Sequence, residues 1–316
     1  MPTLAAIDVG SNAIRLAIGS VNGDRKLTVV ENIREPVRLG QDVFKTGTIA
    51  EETIDRATEA FTRFKQTIDT HSARWTKAVA TSATREALNR ELFIDRVAQA
   101  SGIEIDVIGP EEEARLIHLG VSEKINLKNK LAMLVDIGGG SAEITLVEDG
   151  NILSTESFKM GAVRLLQVLE EKKHGERHFN QLVREYVDAT QKRIKKEIGK
   201  EKIDLCIGTG GNIEVLGELR KELFGKDRNT VLAKDELDTL VKKLQSMTYE
   251  ERVQELPEEV RGAAQEGFHR LRGHEADRGI HQGLGEMGVG LPGDERPIAQ
   301  ELPGPGDAQY LLFPRH

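Results

Sequence analysis

The sequence predicts an α/β protein built from two repeated halves and followed by an irregular C-terminal tail. The first observation is a repeated pattern, TLAAIDVGSNAIRLAIGSV from residue 3 and LAMLVDIGGGSAEITLVEDG from residue 131. In each copy an apolar strand ends near an aspartate, a glycine-containing turn follows and a second apolar strand begins, which predicts a β-hairpin. The second observation is that the order of strands and helices after the hairpin is also repeated. The third is that apolar periodicity is lost after about residue 256.

We assign residues 1–125 to the first half, with the predicted order β-β-β-α-β-α-β-α. Three strands occupy residues 3–35, and Asn22-Gly23 marks the second turn because this pair is typical of tight hairpins. We interpret Gly40 to Gly47 as a loop. The remaining predicted elements are a helix over 51–70, a strand over 75–80, a short helix that carries Arg85, a helix over 91–101, a strand over 103–108 and a helix that begins at Pro110.

The second half, residues 126–256, repeats this order of strands and helices but is incomplete at its C-terminal end. Its predicted elements are strands 131–136, 142–148 and 151–158, helices 161–171 and 178–198, a strand over 203–207, and helices 212–223 and 234–246.

The tail, residues 257–316, differs in composition from everything before it. Six of the nine prolines of the chain lie after residue 256, and its last lysine is Lys243. Such a stretch buries too little apolar surface to offset its chain entropy, so we expect it to be disordered.

Charge and cysteine content exclude several classes of protein. The net charge of −8 argues against a general nucleic-acid-binding protein, because phosphate backbones require clustered positive charge. The single cysteine, Cys206, excludes an internal disulfide. No apolar run reaches the roughly 18 residues that span a bilayer, and the N-terminus offers no signal peptide. We therefore expect a cytoplasmic protein with no membrane span, and a homodimer is left open.

The glycine turns predict phosphate binding. A turn rich in glycine aims successive backbone N–H groups into one concavity, which suits a phosphate oxygen. A third glycine turn follows the strand over 203–207, where an open α/β sheet binds ligands. The predicted phosphate-binding residues are Asp8, Gly10, Ser11 and Asn12 in the first turn, Gly138, Gly139, Gly140 and Ser141 in the second, and Gly208, Gly210 and Gly211 in the third. Asp136, at the end of a strand, is suited to hold a divalent cation.

The glutamates at the start of the helix that begins at Pro110, and Arg85, are candidates for catalytic roles. Each also has an ordinary structural explanation. Glu111, Glu112 and Glu113 open a helix, where acidic residues commonly interact with the helix dipole. A carboxylate there can also take a proton from water. Arg85 follows a strand near a helix start, so it can clamp a phosphate with two hydrogen bonds or form a surface ion pair.

Together these segments resemble a known family. The strings AAIDVGSNAIRLAI, ATSATREA, EEEARLIHLGV, VDIGGGSAEI and IGTGGN occur in the order and at the separations of the exopolyphosphatase and guanosine pentaphosphate phosphohydrolase family. The resemblance covers residues 3 to about 255. It implies the actin-like ATPase fold, with two ribonuclease-H-like halves around a cleft, and Mg²⁺-dependent removal of terminal orthophosphate from inorganic polyphosphate.

The resemblance also implies roles for individual residues. Glu113 matches the general base, Arg85 the phosphate-contacting arginine, and Asp136 and Glu143 the acidic residues linked to magnesium. Ser11, Asn12, Gly139 and Ser141 fall on the phosphate loops. These residue roles are consistent with a polyanionic substrate, for which a protein mainly positions water and neutralises charge.

The chain departs from the family pattern in two places, and other functions stay open. Asn212 replaces a hydroxyl residue in the third turn, and we expect nothing in residues 262–316 to supply the helix, strand and glycine turn that complete the family's second half. The alternatives to an exopolyphosphatase are an enzyme acting on guanosine pentaphosphate or tetraphosphate, nucleotides of the stringent response, a sugar or acetate kinase of the actin fold, and a non-catalytic sensor of polyphosphate.

Overall fold

A computed structural model describes residues 2–23, 27–170, 175–199, 201–225, 231–246 and 309–313. The chain divides into two compact units, the first ending at Glu113 and the second spanning Ala114–Arg315. Each unit contains one β-sheet with helices packed on it.

The first unit contains strands β1 to β5 and helices α1 to α4, and helix α5 begins at its end. In chain order the elements are β1 Thr3–Val9, β2 Ile14–Val21, β3 Leu27–Glu35, α1 Leu39–Thr46, α2 Glu51–Thr70, β4 Trp75–Ala80, α3 Ser82–Glu86, α4 Arg90–Ser101, β5 Ile105–Val107 and α5 Pro110–Ser122. Its core contains the fully buried side chains of Phe61 and Phe64 on α2 and of Phe93 on α4, together with the apolar residues of the sheet.

The second unit contains the rest of α5 and the described elements that follow it. These are β6 Leu131–Ile137, β7 Ala142–Glu148, β8 Asn151–Phe158, α6 Ala162–Glu170, α7 Gly175–Ile198, β9 Leu205–Thr209, α8 Gly211–Phe224, β10 Val231–Ala233, α9 Lys234–Ser246 and β11 Gln309–Phe313. The strands β6 and β9 are buried on both faces, so they are apolar without alternation.

The two sheets share one strand order. The first sheet runs β3-β2-β1-β4-β5, and the second runs β8-β7-β6-β9-β11-β10. In both, the first hairpin is antiparallel and its leading strand also pairs in parallel with the next strand to be added, β4 or β9. This repeated order confirms the predicted α/β architecture with two duplicated sheets.

Two local predictions are wrong. The segment interpreted as a loop, Gly40 to Gly47, lies almost wholly in helix α1. Its two glycines suggested a loop, but Leu39 and Val43, four residues apart, are both buried and set one helical face. Gly47 ends the helix in the left-handed conformation that favours glycine.

The second correction concerns the tail. We expected no strand in residues 262–316, yet Gln309–Phe313 forms β11, parallel to β9 and antiparallel to β10. The composition of the whole tail concealed the short run QYLLF, whose aromatic and apolar residues favour a strand. The expected disorder of 257–308 and 314–316 falls outside the described residues.

Within the described ranges, no helix combines the length and apolar character needed to cross a bilayer.

Candidate functional site

The first hairpin turn joins β1 to β2 and is held by the start of α1. The N–H of Gly10 donates to the carbonyl of Ala13 at 3.1 Å, which closes the turn. The N–H groups of Arg38 and Gly40 donate to the carbonyls of Asn12 and Ser11, at 3.0 and 2.7 Å. The first turn is therefore fixed to the helix that follows β3.

The second hairpin turn, between β6 and β7, is held in the same way by α6. Gly138 N–H donates to Ser141 O at 3.0 Å, as Gly10 does to Ala13 in the first turn. The N–H groups of Ala162 and Val163 donate to Gly138 O and Gly139 O, at 3.1 and 2.9 Å. The helices α1 and α6 thus have equivalent places in the two units.

These contacts fix the direction of the peptide groups in the second turn. Arg164 Nε donates to Gly140 O at 2.9 Å, so three successive carbonyls, from Gly138 to Gly140, point toward α6. In a trans peptide the N–H points opposite to the carbonyl. The N–H groups of Gly139, Gly140 and Ser141 are therefore directed away from α6, and successive N–H groups of a turn can bind an anion.

A close approach of backbone to backbone requires glycine at the start of α6. A Cβ added to Gly161 would lie 2.3 Å from the carbonyl carbon and oxygen of Gly139. In the first turn of α1, a Cβ on Gly40 would lie 2.7 Å from the ring of Phe44 and 3.0 Å from Cβ of Ser11. Neither glycine was predicted from the sequence as a residue that shapes a turn. The clue available in the sequence is that each lies a few residues after the third strand of its unit.

A row of four polar residues crosses the second sheet at the end of its strands. The register pairs Asp136 with Thr209 on one side and with Glu143 on the other, and pairs Glu143 with Ser157. Thr209 Oγ1 donates to Asp136 Oδ1 at 2.5 Å, and Ser157 Oγ donates to Glu143 Oε1 at 2.8 Å. Asp136 and Glu143 are each only 2% exposed, so both carboxylates are removed from bulk water.

Helix α5 covers the face of the second sheet on which this row lies. Asp136 shares its face of β6 with Ala132 and Leu134, because side chains alternate along a strand. These two pack with Val121 of α5 and with the partly buried Ile117. Glu113, Ile117 and Val121 follow at four-residue intervals, so they form one stripe of the helix.

Glu113 is the first residue of that stripe and meets the two carboxylates of the row. One carboxylate oxygen each from Glu113, Asp136 and Glu143 lies within 4.8 Å of the other two. Glu113 is 7% exposed, so all three acids of this carboxylate cluster are buried. A buried group of three carboxylates is costly unless positive charge is present, and it can hold a metal ion.

Arg85 lies beside Glu113. Its Nη1 donates to the carbonyl of Ile108 at 2.6 Å and lies 3.7 Å from Oε2 of Glu113. The Arg85 side chain is 23% exposed, so part of the guanidinium remains accessible to a ligand. On the same short helix, Ser82 Oγ is 2.9 Å from Ser11 Oγ and links α3 to the first turn.

The corresponding row in the first sheet has a different composition. The register places Asp8 between Val79 and Arg15, and Arg15 beside Arg34. Asp8 Oδ2 lies 3.7 Å from Arg15 Nη1. Where the second row has two carboxylates and two hydroxyls, the first has one carboxylate, two guanidiniums and a valine.

The third glycine turn is next to Asp136. Gly210 has a φ of +98°, and a Cβ on it would lie 2.4 Å from Ile137 O and 3.3 Å from Asp136 Oδ1. A Cβ on Gly208 would lie 2.8 Å from Cγ2 of Ile213 on α8. Gly211 begins α8. The turn is therefore tightly packed between β6 and α8.

Cys206 is not suited to act as a nucleophile. It lies within β9 and is buried, and burial raises the pKa of its thiol to about 12. The thiolate is the reactive form, so this cysteine stays protonated and unreactive near neutral pH.

Of the residues predicted for catalysis and metal binding, Glu113, Asp136 and Glu143 form the carboxylate cluster, and Arg85 lies beside Glu113. Sequence reasoning missed Thr209, Ser157 and Arg164, which contact this group or the second turn. Each of them lies opposite a predicted site residue on a neighbouring strand or helix. The sequence alone does not reveal this, because it does not give the register between the strands.

Comparison with known proteins gives consistent results. The family model described as the Ppx/GppA phosphatase family matches residues 18–261. Exopolyphosphatase 2 of Mycobacterium tuberculosis is 30% identical over 240 residues, which are 71% of this chain and 72% of that protein. A guanosine-5'-triphosphate,3'-diphosphate pyrophosphatase of Aliivibrio fischeri is 29% identical over 255 residues, 79% of this chain and 49% of that protein.

The chain thus spans about half the length of the second of these relatives. Among solved structures, an exopolyphosphatase from Cytophaga hutchinsonii has the same fold, with a TM-score of 0.76, 24% identity and coverage of 98% of this chain and 94% of that one. The family model covers well over half of the sequence, and the chain belongs to the Ppx/GppA phosphatase family.

Proposed function

We propose that this protein is an exopolyphosphatase that releases terminal orthophosphate from inorganic polyphosphate in a Mg²⁺-dependent reaction. The observation that carries the proposal is the buried carboxylate cluster of Glu113, Asp136 and Glu143, which lies beside a glycine-rich hairpin turn whose carbonyls are held by α6. Both features suit a phosphoanhydride hydrolase, because backbone N–H groups can bind its anionic substrate and a metal ion held by carboxylates can stabilise the negative charge of the reaction.

The donor atoms fit magnesium. All three residues of the carboxylate cluster offer oxygen, and Mg²⁺ is a hard cation that prefers oxygen ligands and is commonly bound by one or two carboxylates. We assign Asp136 and Glu143 as its ligands. When bound there, magnesium would neutralise charge on phosphate oxygens.

Glu113 is proposed as the general base. Its carboxylate accepts a proton from the attacking water, and Arg85, 3.7 Å away, contacts the phosphate that is transferred. The hydrogen bond from Arg85 to Ile108 O fixes the guanidinium for this contact. Since Glu113 belongs to the carboxylate cluster, its alternative role is that of a third metal ligand, and the variant Glu113→Gln separates the two roles.

Each of the two hairpin turns is proposed to bind phosphate. In the second turn the donors are the N–H groups of Gly139, Gly140 and Ser141. In the first turn Ser11 O and Asn12 O accept from the segment that starts α1, so the N–H groups that follow them are directed away from that helix. Asp8, paired with Arg15, leaves the first turn suited to an anion.

A second candidate substrate is guanosine pentaphosphate. It is favoured by the third turn, where Gly210 packs against Asp136 at the start of α8, a place suited to a nucleotide. The Aliivibrio fischeri relative carries the name of a pyrophosphatase for this nucleotide.

Phosphate release from long-chain polyphosphate, guanosine pentaphosphate and ATP, each with Mg²⁺, tests the proposal. The proposal requires the highest kcat/KM with polyphosphate. A preference for guanosine pentaphosphate would support the second candidate. Binding of polyphosphate without release would indicate a sensor, and a preference for ATP would contradict both hydrolase assignments.

A further inference from the structure

We propose that Thr209 and Ser157 are positioning residues that hold Asp136 and Glu143 in the orientation that binds a divalent cation. The inference rests on the proposed cation site and extends it to the two hydroxyls at the ends of the four-residue row. Neither residue is required to contact the substrate.

The contact between Thr209 and Asp136 is short and buried. The parallel register of β6 and β9 places the two residues side by side, and the hydroxyl donates to Oδ1 at 2.5 Å. Thr209 is 5% exposed and Asp136 2%, so water does not easily replace the hydroxyl. A charge-assisted hydrogen bond of this kind fixes the plane of the carboxylate.

The contact between Ser157 and Glu143 repeats this arrangement on the other side of the row. Ser157 lies on the edge strand β8 and donates to Oε1 at 2.8 Å. Each carboxylate therefore receives one hydroxyl from the neighbouring strand. Such outer hydrogen bonds orient metal ligands in proteins generally.

The first unit indicates that the fold itself does not require these hydroxyls. At the position equivalent to Thr209, beside Asp8, β4 carries Val79, and at the position equivalent to Ser157, β3 carries Arg34. A valine is thus compatible with this place in the same strand order. The hydroxyls occur in the row with two adjacent carboxylates, which is where a cation needs its ligands oriented.

Four variants separate positioning from packing. Thr209→Val removes the hydroxyl with little change in volume, Thr209→Ser keeps it, and Ser157→Ala removes the second hydroxyl at a more exposed place. The matched control is Thr145→Val, since Thr145 is buried on the same face of β7 and bonds to Thr155 at 3.2 Å, away from the carboxylates. Binding of Mn²⁺ alone, followed by electron paramagnetic resonance of the free ion, is measured with no phosphate substrate present.

Thr209→Val is expected to weaken Mn²⁺ binding by ~10–100-fold, the usual effect of removing a residue that orients a metal ligand. Thr209→Ser should bind nearly as the unaltered protein does, Ser157→Ala should show a smaller loss, and Thr145→Val should show none. The increase in unfolding temperature that Mn²⁺ produces should follow the same order among the variants.

Equal Mn²⁺ binding by Thr209→Val and Thr145→Val would overturn the inference, as would the absence of Mn²⁺ binding by the unaltered protein. If Thr209→Val does not fold, unchanged binding by Ser157→Ala overturns it, and weakened binding supports it. Because no substrate is used, a failure to hydrolyse polyphosphate would contradict the proposed function while leaving this result unaffected.

Discussion

The two hairpins share the same pattern of backbone hydrogen bonds, but the side chains beside them carry opposite net charge. Both turns are closed by the same N–H to carbonyl bond, and both are held by the helix that follows the third strand. Across the strands, however, the first row is Val79, Asp8, Arg15 and Arg34, whereas the second is Thr209, Asp136, Glu143 and Ser157. The formal charges of the rows are about +1 and −2 when each acid and arginine is ionised.

This difference shows how the two copies of a duplicated fold can be suited to ligands of opposite charge. Two unit charges 4 Å apart interact by ~1 kcal/mol in water and by ~4 kcal/mol at the effective dielectric near a protein surface. Adjacent buried carboxylates are therefore unfavourable by themselves, and a divalent cation relieves the repulsion. In the first row Arg15 already neutralises Asp8, so that row favours an anion.

The largest expected effect is that of Glu113→Gln in the carboxylate cluster. The amide keeps the shape of the side chain but cannot accept a proton from water, so kcat with polyphosphate should fall by ~10²–10⁴-fold while polyphosphate binding is nearly unchanged. Steady-state kinetics and equilibrium binding measure the two quantities.

The matched control for this variant is Glu112→Gln, one residue earlier on the same helix. Retention of more than half of the original rate by Glu113→Gln would show that Glu113 only stabilises the start of α5. A loss of Mn²⁺ binding as large as that of Asp136→Asn would make Glu113 a metal ligand and not a base.

A second prediction concerns β11, whose equivalent in the first sheet by strand order is β5. Leu311 pairs with Ile207 on β9 and with Val231 on β10, so a proline there interrupts an interior strand. Leu311→Pro should lower the stability of the second unit by at least the ~1–3 kcal/mol of an unsatisfied buried backbone group. Hydrogen exchange of β9 should become faster, with that of β1 and β4 unchanged. Unchanged exchange in β9 would show that β11 contributes nothing to the sheet.

A smaller effect distinguishes the two turns. Gly161→Ala places a methyl group against the backbone of Gly139, whereas in Gly40→Ala the nearest atom belongs to the movable ring of Phe44. We expect Gly161→Ala to cost ~1–3 kcal/mol, as overpacking does, and Gly40→Ala to cost less. Gly120→Ala, in α5 with open space around it, is the control. Thermal unfolding checks the order, and a greater loss in Gly40→Ala would contradict it.

Much of this molecule could be predicted from local sequence. The bounds of α2, β4, β7, β8 and α9 agree with the predicted ranges, because apolar periodicity and turn residues fix them. The helix α1 was missed because two glycines outweighed a single buried stripe, and β11 was missed because five residues were averaged with a long tail rich in glycine and proline.

Residues of the candidate site were predictable only where their neighbours in the sequence indicate a functional role. Asp136 stands out at the end of a strand beside glycines, whereas Glu143 was predicted only from the family resemblance. Neither Thr209 nor Ser157 stands out in the sequence, because their importance depends on strand register across separations of 73 and 14 residues. Register between distant strands is a tertiary property, and the sequence pattern within one strand does not determine it.

The most direct test of the account is Mn²⁺ binding by Asp136→Asn compared with Asp8→Asn. The two aspartates occupy equivalent positions in the two hairpins, so each variant is the control for the other. Asp136→Asn removes a charged oxygen ligand and should weaken binding strongly and raise the Mg²⁺ concentration needed for half-maximal rate. Asp8→Asn should leave both quantities nearly unchanged. Equal losses in the two variants, or a loss confined to Asp8→Asn, would contradict the assignment of the cation to the second hairpin.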